Sequence, residues 1–106
     1  MAASPDDVRV VDNRRDERYE LWVGETRAGL LAYRETPRAL VLVHTETDPA
    51  FEGQGLGGRL VKGALDDIRS RGLRVVLRCP FASAYVRRHP EYADLVSAPT
   101  VRVQER

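Results

Sequence analysis

At 106 residues the chain has room for one domain and is too short for two. Its 42% apolar and 31% charged residues are an ordinary globular composition, and 17 Lys+Arg against 16 Asp+Glu leave a formal net charge of +1. There is no global field to draw in nucleic acid or anionic lipid, so neither is an expected partner and any anion site must be local. The single cysteine, Cys79, excludes an intramolecular disulfide, and no His/Cys/Asp/Glu spacing argues for a metal. The opening Met1-Ala2-Ala3-Ser4-Pro5-Asp6-Asp7 lacks the basic and apolar regions of a signal peptide. No apolar run approaches the roughly 20 residues that span a bilayer. The expectation is a cytoplasmic protein with no membrane association.

Residues 1–7 read as a frayed start. Val8–Val11 is a short β-type run closed by the polar turn Asp12–Asp16. Tyr19, Leu21 and Val23 alternate with Glu20 and Trp22 as a second strand, with Trp22 expected as a packing residue. Gly24-Glu25-Thr26 turns the chain into Ala28–Arg34, and Thr36-Pro37 breaks that strand before the apolar run Ala39–Thr45. Short turns between four strands predict an antiparallel meander. The period then changes, because Leu56, Leu60, Val61, Ala64, Leu65 and Ile68 follow helical spacing. Arg69 and Arg71 suit the last turn, and Gly72 stands just past the end. Leu73–Arg78 is a fifth strand, expected parallel to the fourth. A shorter helix is expected from Phe81 to Arg88, stopped by Pro90, and the tail offers one more strand at Thr100–Val103. The fold class is therefore α+β: a single domain with a mixed, mainly antiparallel sheet, a long helix after strand 4 and a shorter one after strand 5.

Between the fourth strand and the long helix lies Glu52-Gly53-Gln54-Gly55-Leu56-Gly57-Gly58. Glycines let a ligand approach the backbone, and the first amides of a helix have no internal partners. The helix dipole adds partial positive charge there, so the position suits a phosphate or pyrophosphate. A glycine-rich stretch is also often just a loop. Two known glycine patterns do not fit: the dinucleotide fingerprint follows the first strand of a parallel unit, and the nucleotide-hydrolase loop requires Gly-Lys-Ser/Thr where this chain has Gly58-Arg59-Leu60.

The order strand, Glu-x-x-Gly-x-Gly, helix, strand resembles the coenzyme A pyrophosphate loop of the Gcn5-related N-acetyltransferase superfamily, with Gly55 and Gly57 at its glycine positions. Glu52 stands where that superfamily has Gln or Arg; its carboxylate is expected to point away, leaving only backbone amides to bind. Cys79, Tyr85 and the string Arg88-His89-Pro90-Glu91-Tyr92-Ala93-Asp94-Leu95-Val96 resemble a short, YjdJ-like minimal branch of it. The likeness runs from about Tyr19 to Val96. That branch lacks the usual pair of helices after the first strand, for which Asp12–Asp16 has no room either.

The resemblance implies acetyl-coenzyme A as donor, held between diverging fourth and fifth strands, and a primary amine as acceptor. Thr45 and its neighbours would line the pantetheine arm. Gln54, Gly55, Leu56, Gly57 and Gly58 would hold the pyrophosphate, with Arg59 and Arg88 near phosphates and Tyr85 beside the donor. Cys79, at the carboxyl end of the fifth strand, reads either as a nucleophile carrying a transient acetyl group or as a small buried apolar side chain. His44 and Glu46, two residues apart and so on one strand face, are candidate general bases or ordinary polar strand ends. Tyr85 is either the acid that protonates the leaving thiolate or a packed tyrosine. His89 is expected to cap carbonyls at the helix end. The leading reading is an N-acetyltransferase; the alternative is a non-catalytic coenzyme A-binding sensor, motivated by the missing helices. The acceptor, whether protein lysine, polyamine or antibiotic-like amine, and the choice between monomer and homodimer stay open.

Overall fold

A computed structural model describes residues 7–97. Five strands, β1 (Val8–Asn13), β2 (Arg18–Val23), β3 (Thr26–Glu35), β4 (Ala39–Thr47) and β5 (Arg74–Leu77), join two helices, α1 (Leu56–Ser70) and α2 (Pro80–Arg88). Each connection has a local cause. Between β1 and β2, the Asn13 side chain accepts from the Asp16 amide (3.2 Å) in a 3-10 turn. Gly24 turns β2 into β3 at φ +59°, and the Thr36 hydroxyl accepts from the Ala39 amide (3.0 Å) before β4. At the end of α1, the Leu73 amide donates back to Ile68 O (3.1 Å) around Gly72.

The strands lie in chain order, β1-β2-β3-β4-β5; the first three pairings are antiparallel and the last is parallel, as expected. Asp7, read as part of a frayed start, is tied down by the Gly24 amide donating to its carbonyl (3.1 Å). Pro90–Leu95 forms a 3-10 helix that the sequence did not announce. The tail strand expected at Thr100–Val103 lies outside the described residues.

Strand alternation divides the sheet into two unlike faces. Tyr19, Leu21, Leu31, Leu40, Leu42 and Val75 point to the face that carries α1 and form the core with Leu60, Val61, Ala64, Leu65 and Ile68. The α2 helix packs on that same side, with the Tyr85 ring against Gly58 of α1. β4–α1–β5 is a parallel crossover, and after α2 an isolated parallel bridge joins Val96 to Val75 on the far side of β5, so the chain advances in one direction and right-handed connections put both helices on one face. A polar clamp locks α1 at its far end. Tyr19 Oη donates to Asp67 (2.8 Å), Tyr33 Oη to Asp12 (2.7 Å), and the Arg71 guanidinium bonds both Asp12 and Asp67. Burial, reinforced by these carboxylates, pushes both phenols well above their ordinary value.

The opposite face carries no helix among the described residues. Its one buried charged residue is Glu20, 7% exposed. Burial alone would raise that carboxyl, but donors from Asn13 (2.9 Å), Arg18 (2.8 Å) and Trp22 (3.1 Å) outweigh it and hold the group below its ordinary value of 4.5.

Two expectations follow. Alanine at Gly63 would gain about 1 kcal/mol in helix propensity. Its Cβ, however, would fall 2.6 Å from Val10 Cγ2, and overpacking of that kind costs about 1–3 kcal/mol. Gly63→Ala is thus expected to lower the urea unfolding free energy by about 1 kcal/mol, with Val10→Gly, which also removes the Cβ that would stand 2.8 Å away, relieving the penalty in a double-mutant cycle. A more stable single variant would contradict this packing. The depressed Glu20 carboxyl gives stability that is present above pH 4.5 and lost as pH falls through the folded value. Glu20→Gln is therefore expected to flatten the acid limb of a stability-versus-pH curve, and an unchanged limb would show that the network is not a source of it.

Candidate functional site

Strand β5 stays beside β4 for only four residues, from Ala39/Arg74 to Leu42/Leu77, with a last bond from the Arg78 amide to Leu42 O (2.9 Å). There β4 bulges: the β3 register shifts between Ala32 and Tyr33, leaving Val43 without a partner. A bulge bends its strand and ends regular pairing. Past it, β4 runs on to Thr47, two residues beyond the sequence expectation, while the other chain turns into α2 with Pro80 in its first turn. The edge of β4 from Val43 to Thr47 therefore has no neighbouring strand on the β5 side among the described residues. Across this opening Thr45 Oγ1 lies 3.0 Å from Cys79 Sγ. Cys79 is 2% exposed and is the N-cap residue of α2.

The start of α1 lies beside the same opening. Gly55 is its N-cap at φ +73°, a conformation that costs a side-chain-bearing residue about 1 kcal/mol or more. No side chain caps this end and no acidic residue sits in its first turn. The leading amides therefore keep their donors and the dipole its positive end. A cavity of about 310 Å³ covers them, lined by Glu52, Gly53 and the run from Gly55 to Gly58 together with Thr47, Phe51 and Phe81. The Phe81 ring closes so tightly on Gly57 that a Cβ there would lie 2.8 Å from it.

The sequence-selected residues separate into groups. Gly55, Leu56, Gly57 and Gly58 line the cavity, and Glu52 is exposed on its border. Gln54 is exposed and does not line it. Thr45 and Cys79 form the neighbouring contact. Arg59 borders a different groove of about 470 Å³, between β1 and α1, with Lys62 and Val10, and Arg88 is exposed at the end of α2. His44 and Glu46 do share a face, His44 Nε2 lying 2.9 Å from Glu46 Oε2. That face is the helix-free one, since Glu46 pairs with Leu30 and Leu30 with Glu20.

Tyr85 is 7% exposed, with its ring 3.5 Å from where a Gly58 Cβ would stand, and burial pushes its phenol up. In place of the expected carbonyl cap, the His89 imidazole stacks on Tyr85 at 4.0 Å and 20°, with its Nδ1 3.8 Å from Glu91 Oε2. The two residues are one helical turn apart, where rings meet face to face. Phe81, Phe51 and Thr47 were not singled out from sequence. Phe81 is the most telling of them, a large apolar side chain left exposed over a glycine. Among the described residues no group of three His, Cys, Asp or Glu could hold a metal, and no helix is long and apolar enough to cross a membrane.

Comparison with known proteins fits this geometry. The solution structure of a GCN5-like protein from Staphylococcus aureus superposes with a TM-score of 0.65 at 18% identity, covering 94% of this chain and 98% of that one. At that identity the likeness concerns the fold. Human protein NATD1 is 32% identical over 85 residues, covering 78% of this chain and 75% of the relative, and the Xenopus tropicalis NATD1 is 29% identical over 85 residues, covering 78% of each. The pattern of the GCN5-related N-acetyl-transferase family matches residues 18–95, from the start of β2 to the 3-10 helix after α2. With the strand divergence, the uncapped glycine helix start and most of the chain inside that match, the protein belongs to the GCN5-related N-acetyltransferase family.

Proposed function

We propose that the protein is an acetyl-coenzyme A-dependent N-acetyltransferase acting on a primary amine. The observation that carries this reading is the meeting, at the end of β4, of an uncapped glycine-built helix start with a strand edge that has no neighbour. The amides from Gly55 to Gly58 suit the pyrophosphate, and the edge from Val43 to Thr47 suits the amide-bearing pantetheine arm, which pairs like a strand. The thioester then lies near Thr45 and Cys79.

In the transfer, an ammonium acceptor first gives a proton to Glu46 or His44, directly or through water. The amine lone pair forms the new N–C bond, the C–S bond breaks, and the electron pair leaves on sulfur. Tyr85, whose phenol burial keeps protonated near neutral pH, supplies the proton that converts the thiolate to free coenzyme A and is reprotonated from solvent. The second amine proton is lost to the base, so acetyl-coenzyme A and an ammonium give an amide, a thiol and one proton. Cys79 sits beside the acyl group. Its burial and its contact with the Thr45 hydroxyl favour direct transfer past the sulfur, because a nucleophilic thiolate must be open to attack.

The test is calorimetry with acetyl-coenzyme A followed by thiol release with a panel of amines. Binding with acceptor-dependent release is expected; binding without release for any amine would mean a sensor, and no binding at millimolar ligand would overturn the coenzyme site. Cys79→Ala is expected to keep kcat/KM within about tenfold, a loss near 1.4 kcal/mol at most. A far larger loss, with an acetyl adduct on the wild-type Cys79 in the absence of amine, would instead establish the covalent route.

A further inference from the structure

The helix-free face of the sheet is unusual for its charge and its exposed apolar groups. Strand register places five arginines on it, Arg9, Arg18, Arg27, Arg34 and Arg74, against two glutamates, Glu20 and Glu46, in a chain whose formal net charge is only +1. Glu20 is held by Asn13, Arg18 and Trp22 and lies 3.8 Å from Arg27, and Asp16 adds a carboxylate 3.7 Å from Arg18, so the positive excess is carried by Arg9, Arg34 and Arg74. Exposed apolar side chains stand among the arginines on separate strands. Trp22 lies under the Arg9 guanidinium (5.7 Å to the ring centroid), and Val11, paired across from Glu20, is 40% exposed. Val43 at the bulge is 38% exposed, so among the described residues two of the three exposed large apolar side chains belong to strands of this sheet. His44 and Glu46, the candidate bases, open on this same side, whereas Thr45 and Cys79 are on the other.

We infer that this face is the docking surface for the acceptor, and that the acceptor is a lysine within an extended, acidic segment of another protein. The inference rests on the transferase reading for its chemistry and on the face itself for its specificity. A polyamine would be repelled by the arginine excess. A second copy of the chain would set two like-charged faces against each other. An extended segment that turns an apolar, a lysine and an acidic side chain to one side at alternate positions meets both the exposed apolar groups and the arginines, and brings its lysine to the bases from the side opposite the thioester's helix wall.

Trp22 is the only tryptophan, so its fluorescence reports directly on the face. The full chain is titrated with a capped peptide, Glu-Val-Glu-Lys-Val-Glu-Val, and with its counterpart carrying Arg for each Glu. The acidic peptide is expected to change Trp22 emission and to bind at least about tenfold more tightly, with affinity falling as salt is added. The variant Arg34→Glu, which leaves the glycine loop and the Glu20 network untouched, is expected to abolish the preference while acetyl-coenzyme A binding by calorimetry stays unchanged. Equal affinity for both peptides, a preference that survives the charge reversal, or a sedimenting dimer that blocks the acidic peptide overturns the inference. The two readings fail separately. Peptide binding without thiol release in the presence of acetyl-coenzyme A supports the surface and sinks the transferase; thiol release with spermidine and no acidic-peptide binding does the reverse.

Discussion

Everything at the candidate site depends on how early β5 parts from β4. Four residues of parallel pairing bring the two strands together at Leu42 and Leu77 and then release them. Had β5 continued, its amides and carbonyls would have satisfied the β4 edge and left nothing for a ligand to bond. The separation has two local causes, the bulge at Val43, which bends β4, and Pro80, which starts α2 three residues after the last pair and supplies no N–H for further pairing. The Thr45–Cys79 contact closes the inner end of the gap, and the glycine start of α1 closes the outer end.

The position of α1 is then a matter of packing. Gly63 lets the helix settle onto Val10 of β1, and the Tyr19–Asp67–Arg71–Asp12 clamp fixes its carboxyl end to two strands, β1 and β2. With that end fixed and the helix body seated on Leu31, Leu40 and Leu42, its amino end can point only at the opening beside β4. The helix is thus aimed by contacts at one end to present bare amides at the other. The same seating leaves the other sheet face uncovered, where the Glu20 network keeps Trp22 in place without a helix above it.

Much of this was legible in the sequence because it is written in local periodicity. The heptad-like spacing from Leu56 to Ile68 and the glycine past Arg71 placed α1 within two residues of its observed end, and the alternation in Tyr19–Val23 gave both the strand and the face that the core uses. The alternation around His44 and Glu46 gave their shared face but not which face, because that depends on the register with β3. Sequence proximity drew His44, Thr45, Glu46 and Cys79 into one site, and the register divides them across β4. Arg59 and Arg88 lie away from the glycine-loop cavity for another reason: helical phase carries Arg59 toward β1, and Arg88 stands at the exposed end of α2. The role of His89 was obscured by Pro90, which suggested an ending rather than the ring four residues back on which the imidazole stacks.

The central claim is that coenzyme A binds through the backbone of the α1 start and the unpaired edge of β4. Amide-resolved NMR of the full chain titrated with coenzyme A tests it most directly. The account predicts that the amides of Gly55, Gly57, Gly58 and Val43–Thr47 shift together, while those of Val8, Lys62 and Gly63 in the β1–α1 groove stay in place. Shifts centred on that groove, or none at saturating ligand, would contradict it.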